Sequence, residues 1–471
     1  MGMIKLFLGS FIFWAAWIVI PVLMEIIPAL GSFFLLLKRR KKVKNHVKPA
    51  IYPEISIMIP VYNSAATLMQ CIESVEKSSY PDSQIRLFLV DNYGKDMSFK
   101  VFAECQERFP QLKMQWLSSE QGKSRALNLA LYNSEGKYII NLDSDGVLDP
   151  NALTNLVDKF EANPQLNCLT GAILILPEWI QSYPKRISRL FRKLEFMEYA
   201  QAFLAGRSYA SETDTVYTMS GAFSAFRKSA ILKSWMYNSD TVGEDTHLTF
   251  QMRVKQGERI EVCENALFFV DPIESVNKLY TQRQRWQRGS LEVAKMFMGS
   301  DFKLRNFFNN VSVRTLLYDH TFAFPRMIWY LAMICLMSMS YSTKTIFIST
   351  VIIFALYVLI GFFYFSVVQY FLKVNPEVRS YYLRQWYCIF LMPFFNLGVF
   401  FFRMAGIINS ISTESSWKAG TISEEWQALK KSVREMLSGP EKAYHALYKF
   451  FNAPEENESA AFSAVTKGQR R

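Results

Sequence analysis

Residues 137–150 read KYIINLDSDGVLDP. A hydrophobic run, Tyr138 to Leu142, ends in two aspartates one residue apart, Asp143 and Asp145, and Gly146, Asp149 and Pro150 follow. A short apolar run bounded by turn residues reads as a buried strand. Its two terminal carboxylates have two readings. One is an Asx-type turn that closes the strand. The other is a site where an oxygen-loving divalent ion bridges a carboxylate and a bound diphosphate, with Gly146 allowing close backbone approach. A lone D-x-D does not separate them.

The neighbouring sequence gives the strand a context. ISIMIPVY (55–62), IRLFLVD (85–91) and LKMQWLS (112–118) read as further strands. AATLMQCIESVEKS, MSFKVFAECQERF and GKSRALNLALYNS lie between the strands with helical spacing, and Leu68, Cys71, Ile72 and Val75 fall on one face of the first. Strands alternating with helices of this length predict βαβ units and a Rossmann-like, mixed but mainly parallel sheet. Ligands bind beyond the carboxyl ends of such strands. Tyr62, Asn63, Asp91, Asp143 and Asp145 all fall at those ends.

Four further stretches carry candidate chemistry. In TVGEDTHLTFQMR (241–253), Glu244 or Asp245 caps a helix, or one of these carboxylates takes the proton from an incoming hydroxyl. His247, two residues on, reads as structural. In YTMSGAFSAFRKSAI (217–231), the small residues around Gly221 suit tight core packing or a wall against a flat sugar ring. In KLYTQRQRWQRGSLEV (278–293), Gln282, Arg285 and Trp286 fit an amphipathic interfacial helix. They equally fit a site where a planar guanidinium grips phosphate and an indole stacks on a sugar. Lys123 and Arg125 open a helix, where they cover surface or touch a diphosphate at the helix N-terminus.

The chain has 471 residues, a formal charge of +12 and 50% hydrophobic residues. That apolar content is concentrated before residue 38 and after about residue 320. The positive charge fits lysines and arginines beside anionic lipid, and no nucleic-acid motif is present. Six solitary cysteines and four histidines form no metal or disulfide spacing. Residues 6–37 are almost wholly apolar and KRRKKVK (38–44) follows, which predicts a membrane anchor with a cytoplasmic basic flank. Glu25, Pro21 and Pro28 make that run a bent or irregular span. Residues 322–343, 345–372 and 385–402 are the later candidate spans, the last continuing weakly to Ile411. Counted as three full spans they place the C-terminal tail outside, whereas Lys430, Lys431, Arg434, Lys442 and Lys449 favour a cytoplasmic tail. One segment is therefore expected to be re-entrant or miscounted.

Taken in order, these residues resemble the membrane-bound inverting glycosyltransferases of family 2, the group of cellulose, hyaluronan, chitin and poly-N-acetylglucosamine synthases. The resemblance implies an α/β GT-A domain, facing the cytoplasm of the cell membrane, combined with transmembrane helices in a multi-pass arrangement. It implies a UDP-sugar donor, a growing glycan or lipid-linked acceptor, and Mg2+ or Mn2+. By position, Pro60, Tyr62, Asn63, Asp91, Lys123 and Asp143 correspond to the donor side, with Asp145 as metal ligand and Asp245 as catalytic base within the G-E-D segment. Gly221, Glu244, Gln282, Arg285 and Trp286 fall on the acceptor and diphosphate side, the last three as Q-x-x-R-W. Asp91–Asn92 departs from the paired aspartates common in the family, and Trp417–Thr421 is too loose a match to the hyaluronan-type W-G-T-R. No cyclic-dinucleotide-binding domain accompanies the core, and a membrane partner subunit could complete a channel.

The expected organisation is an anchor (1–37), a basic linker (38–53), the GT-A domain (54–300), an interfacial segment (301–321), a transmembrane region (322–411) and a tail with an amphipathic helix (412–471). Two other functions compete with a polymer synthase. One is a single-sugar transferase to a lipid-linked acceptor. The other is a non-catalytic scaffold or transport subunit with a degenerate GT-A domain, which should have lost its carboxylates or its Arg–Trp motif.

Overall fold

The structure, a computed structural model, describes residues 19, 22–42, 48–298, 343–412 and 427. The expected interfacial segment 301–321, nearly all of the candidate span 322–343, and the C-terminal amphipathic stretch apart from residue 427 lie outside the described residues.

Eight strands form one sheet: β1 (Ile55–Val61), β2 (Ile85–Asp91), β3 (Lys113–Ser118), β4 (Tyr138–Leu142), β5 (Gly146–Leu148), β6 (Cys168–Ile175), β7 (Phe223–Arg227) and β8 (Ile260–Val270). Their order is β3-β2-β1-β4-β7-β6-β8-β5. The first four strands by position are parallel, and β7 runs antiparallel to both β4 and β6. Every residue of β1, β4 and β6 is buried, as expected of strands covered on both faces. The register sets Val61 beside Asp91 and Asp91 beside Ser118, so three strand ends finish level along one edge.

The βαβ helices match the sequence periodicity. α1 (Ile27–Lys42) precedes the sheet, and α2 (Leu68–Glu76), α3 (Ser98–Arg108) and α4 (Lys123–Asn133) follow β1, β2 and β3. α2 buries Leu68, Cys71, Ile72 and Val75, the stripe its spacing predicted. α5 (Ala152–Ala162) covers β8, and Asp149 before it has a structural task. Its carboxylate accepts from Asn151 N at 3.1 Å and from Asn375 Nδ2 at 3.0 Å, tying the strand-end loop to the C-terminal helices.

The longer helices that follow, alongside two short ones at Pro177–Gln181 and Lys228–Ile231, are α6 (Arg186–Tyr199), α7 (Arg207–Glu212), α8 (Glu244–Phe250), α9 (Val276–Met298), α10 (Thr343–Phe371), α11 (Pro376–Arg384) and α12 (Met392–Ser412). Among the described residues one helical run, Thr350–Val374, is long and apolar enough to cross a membrane. Two expectations change. The helix of α1 continues through the basic run to Lys42, so no break falls at residues 37 and 38. Arg39 is buried, with Nε 2.5 Å from Glu264 of β8 and Nη1 2.8 Å from Glu212 of α7. This part of the basic cluster pins α1 to the sheet domain. The apolar segment 385–402 is not one helix. A 3-10 turn at Trp386–Phe390 separates α11 from α12, and the buried Arg403 of α12 donates to Gln287 of α9 at 2.8 Å. An apolar composition hides such a break, because the 3-10 turn itself, WYCIF, is as apolar as a helix would be.

Candidate active site

The antiparallel register of β4 and β7 pairs Leu142 with Phe223. It therefore lays the start of β7 beside the end of β4, and Asp143 N donates to Ala222 O at 3.0 Å. Gly221 O accepts from Asn141 Nδ2 at 2.6 Å, and Gly221 N donates to Asp245 Oδ2 at 3.1 Å. The S-G-A segment is thus the bridge between the D-S-D turn and the G-E-D helix. β5 then turns back against β8, where a Cβ on Gly146 would lie 2.3 Å from the Phe268 ring. Only glycine fits that position.

The two aspartates of the turn have different partners. Asp143 Oδ1 lies 2.5 Å from Lys123 Nζ, which also approaches Glu244 Oε1 at 3.8 Å and Gly221 O at 3.4 Å. Burial by itself depresses the Lys123 ammonium, but Asp143, Glu244 and Asp245 outweigh it and raise its pKa. Lys123 is the internal counter-ion of an acidic cluster. Asp145 faces the open cleft; the surrounding protein and the Asp143 carboxylate push its acid up to about 6. Ser144 Oγ lies 2.7 Å from Ser64 Oγ, joining the turn to the loop after β1.

Asp245 sits in the first turn of α8. Besides Gly221 N, it accepts from Thr246 N at 2.6 Å and Thr246 Oγ1 at 3.3 Å, so its carboxylate is fixed in direction. Glu244 is buried, and its acid is raised by burial and by Asp245 against the opposing pull of Lys123. Gly243 presses on Gly289 of α9, where an added Cβ would come within 3.1 Å of the backbone. This close approach brings the G-E-D turn against the helix of Q-R-Q-R-W. His247 takes no part. Its ring is held by Gln251 at 2.9 Å and packs on Phe297 at 5.0 Å, and burial lowers its pKa.

These elements enclose a cavity of about 1300 Å³. Lys123, Asp143, Asp145, Gly221, Glu244, Asp245, Gln282, Arg285 and Trp286 all line it. It extends past Tyr199, Phe203 and Arg207 to Ile353, Phe354 and Ile360 of α10 and Leu397 and Val399 of α12. Arg283, between the motif residues, is 2% exposed. It donates to Gln282 Oε1 at 2.9 Å, pairs with Glu198 at 2.6 Å and lies 4.3 Å above the Trp286 ring. It thereby sets the orientation of both neighbours. The sequence pattern passed over Arg283, Glu198, Phe203 and Arg207, because their roles arise from packing between α6 and α9.

The remaining donor-side residues form a separate group outside the cavity lining. Asn63, with φ of +50°, accepts from Lys95 N at 2.8 Å, and Asp91 accepts from Gly94 N at 2.9 Å. Tyr62 is exposed beside them. Pro60 differs from the sequence expectation: it is buried within β1, paired with Val90, one residue short of the strand end. Among the described residues no three His, Cys, Asp or Glu side chains cluster as a closed metal site.

Residues 56–235 match the family Glycosyl transferase family 2, a span that holds Asp91, Asp143, Asp145 and Gly221 and stops short of Asp245 and the Q-R-Q-R-W helix. The chain is 26% identical over 294 residues to a poly-beta-1,6-N-acetyl-D-glucosamine synthase of Staphylococcus epidermidis, covering 62% of this chain and 66% of the relative. It is 24% identical over 291 residues to the synthase of the same name from Staphylococcus aureus, covering 61% and 68%. The similarity thus spans about two thirds of the length of each relative. Among solved structures, a mannosyltransferase from Pyrobaculum calidifontis in complex with GDP-Man and Mn2+ superposes with a TM-score of 0.53 at 15% identity, over 77% of this chain and 98% of that one. That likeness supports the GT-A-like fold. Residues 56–235 thus carry a Glycosyl transferase family 2 domain, set in a chain similar to these synthases.

Proposed function

We propose that the protein transfers a sugar from a UDP-sugar to an acceptor hydroxyl at the cytoplasmic face of a membrane, inverting the anomeric carbon in one displacement. Asp245 takes the hydroxyl proton as the acceptor oxygen bonds to the anomeric carbon and the bond to UDP breaks. The observation that carries this reading is the shared cavity: Asp245, the D-S-D turn and the Gln282–Arg285–Trp286 set all face it. Arg285 lines the cavity, where its charge acts on the buried Glu244 from a distance, and its planar guanidinium suits the departing diphosphate.

Asp145 is the residue that would hold Mg2+ or Mn2+. The fit rests on its position: an exposed oxygen donor that lines the cleft two residues from the Asp143 carboxylate. Mg2+ sites of this kind use one or two carboxylates and complete their shell with substrate phosphates and water. When bound, such an ion neutralises charge on the diphosphate. Asp143, held by Lys123, positions the donor, and Tyr62, Asn63 and Asp91 are placed to receive its nucleotide end.

The acceptor in this reading is a growing glycan, as the names of the staphylococcal relatives suggest. A lipid-linked acceptor is the second reading, favoured by the apolar continuation of the cavity between α10 and α12. The test is purified full-length protein with a panel of radiolabelled UDP-sugars, with and without Mg2+ or Mn2+, followed by product sizing. Asp245→Asn should bind UDP normally and turn over about 10³-fold more slowly; undiminished turnover removes it as the base. Asp145→Ala should abolish metal-dependent UDP binding, and unchanged binding ends its assignment as metal ligand.

A further inference from the structure

The cavity holds a cation that the transfer reaction leaves unused. Between α6 and α7 the chain continues as a π-helix, Ala200–Gly206, a geometry frequent at functional sites. It brings Gln201, Phe203 and Arg207 to the cavity wall. The Arg207 guanidinium lies 4.6 Å above the Phe203 ring, and Phe203 meets Trp286 edge-on at 5.8 Å. Arg207 therefore belongs to the same wall as the Q-x-x-R-W tryptophan.

Its bonding is incomplete. Among the described residues Arg207 makes no ion pair, and its hydrogen bond is one contact to Thr170 Oγ1 at 3.5 Å, the outer limit of such a bond. Asp245 accepts its hydrogen bonds from Gly221 and Thr246 and, like Tyr217, acts on Arg207 only from a distance. Two buried arginines contrast with the half-buried Arg207: Arg39 is held by Glu264 and Glu212, and Arg283 by Glu198. In the same wall, Gln201 Nε2 is buried without an acceptor. Burial pulls the Arg207 pKa down to about 10, which still leaves it charged at neutral pH.

We infer that Arg207 binds an anionic group, a phosphate or a carboxylate, on the acceptor. The inference rests on the reading that this cavity receives the acceptor of sugar transfer. A partly desolvated cation with free donors is costly until an anion with two oxygens meets its planar fork. A neutral sugar offers hydroxyl oxygens but no charge. Two sources share the required chemistry: a lipid phosphate, whose chain would run along the apolar part of the cavity, and an acidic glycan.

The test uses full-length protein in nanodiscs of neutral phosphatidylcholine, without donor. The probes are a short polyprenyl phosphate against the corresponding polyprenol, and a uronate-containing oligosaccharide against a neutral one. Wild-type protein should prefer at least one anionic probe about tenfold or more over its neutral counterpart. R207Q should lose the preference and R207K keep part of it, with melting temperature and UDP binding unchanged in both. Which anionic probe wins identifies the source. Three results each overturn the inference: equal binding of charged and neutral probes by wild type, a preference that survives in R207Q, or a loss in R207Q that falls on UDP binding. Failure of wild type to turn over any UDP-sugar would count against the transferase reading, while the probe ratio still decides Arg207.

Discussion

The proposed donor rim, a set of loops outside the cavity lining, and the proposed acceptor rim, a wall of the cavity itself, are held by different forces. On the donor rim, short polar side chains brace loop backbone. Asp91 accepts from Gly94 N at 2.9 Å, Asn92 from Gly122 N at 2.5 Å, and Asp96 from Ala65 N at 2.8 Å and Ser98 Oγ at 2.6 Å. Each such bond is worth about 0.5–1.5 kcal/mol, and the loops stay exposed. On the acceptor rim, buried charges lock long helices together: Arg283 with Glu198, and Glu195 beside them, accepting from Ile273 N at 3.1 Å. A buried pair adds little net stability but is expensive to break. In the proposed function the donor rim would therefore adjust around a nucleotide, while the acceptor wall would be set before any substrate arrives.

The largest effect should come from breaking the acceptor wall. Arg283→Met removes the cation between Glu198, Gln282 and Trp286 and should destabilise the protein by about 3–5 kcal/mol. Denaturant melts of the purified protein measure it. Adding Glu198→Gln should restore part of the loss, because the stranded carboxylate is then gone. A cost under about 1 kcal/mol for Arg283→Met would put this pair on the same footing as an exposed salt bridge.

The rims should also respond to pH with opposite signs. Burial first, then Glu198, push the Glu195 acid up to about 7, against Arg283 and Arg192. The folded state then holds a proton that the unfolded chain releases near 4.5, so Glu195 costs stability as pH rises from about 4.5 to about 7. Glu195→Gln should flatten this slope and gain up to about 3 kcal/mol at pH 8 relative to its effect at pH 4.5. Asp96 works the other way. Burial raises its acid, but hydrogen bonds from Ser98 and Ala65 outweigh that and lower it. Its contribution is present above the usual aspartate range and fades as pH falls through its folded value. Parallel pH profiles for wild type and Glu195→Gln would sink the contrast.

Where the rims meet, Gly221 faces Asp245. A Cβ added at Gly221 would lie 3.1 Å from Asp245 Oδ2, close enough to push the carboxylate by a few tenths of an ångström. Gly221→Ala should lower kcat about tenfold through misplacement of Asp245 while leaving the melting temperature near that of wild type. An unchanged kcat would show that the Gly221–Asp245 contact does not set the geometry of the base.

The same contrast explains how far the sequence could be read. The strands and the helices between them followed from periodicity, and Asp91, Asp143 and Asp145 followed from their place at strand ends. These are local patterns. The proximity of Gly221 to Asp143 was not visible, because it depends on the antiparallel register of β7 against β4. Arg39 sat in a basic run that reads as a solvated flank, yet two glutamates distant in sequence bury it. Arg207 carries no motif at all. Its position follows from a π-helical segment, a backbone event that side-chain periodicity does not encode. Helical spacing locates Lys123 at the start of α4 but does not show the partner it meets there, Asp143.

The smallest effect should fall on the donor rim, and it tests whether that rim is adjustable. Asp91 combines two properties, an acceptor oxygen for Gly94 N and a negative charge. Asp91→Asn keeps the acceptor and removes the charge; Asp91→Ala removes both. If the rim is a hydrogen-bonded brace, Asp91→Ala should cost about 1 kcal/mol of stability and Asp91→Asn much less. UDP affinity, measured by calorimetry with Mg2+ present, should follow the same order, with about a fivefold loss for Asp91→Ala. If both variants lose UDP affinity equally at unchanged stability, the carboxylate charge itself contacts the nucleotide, and the donor rim is then as pre-set as the acceptor wall.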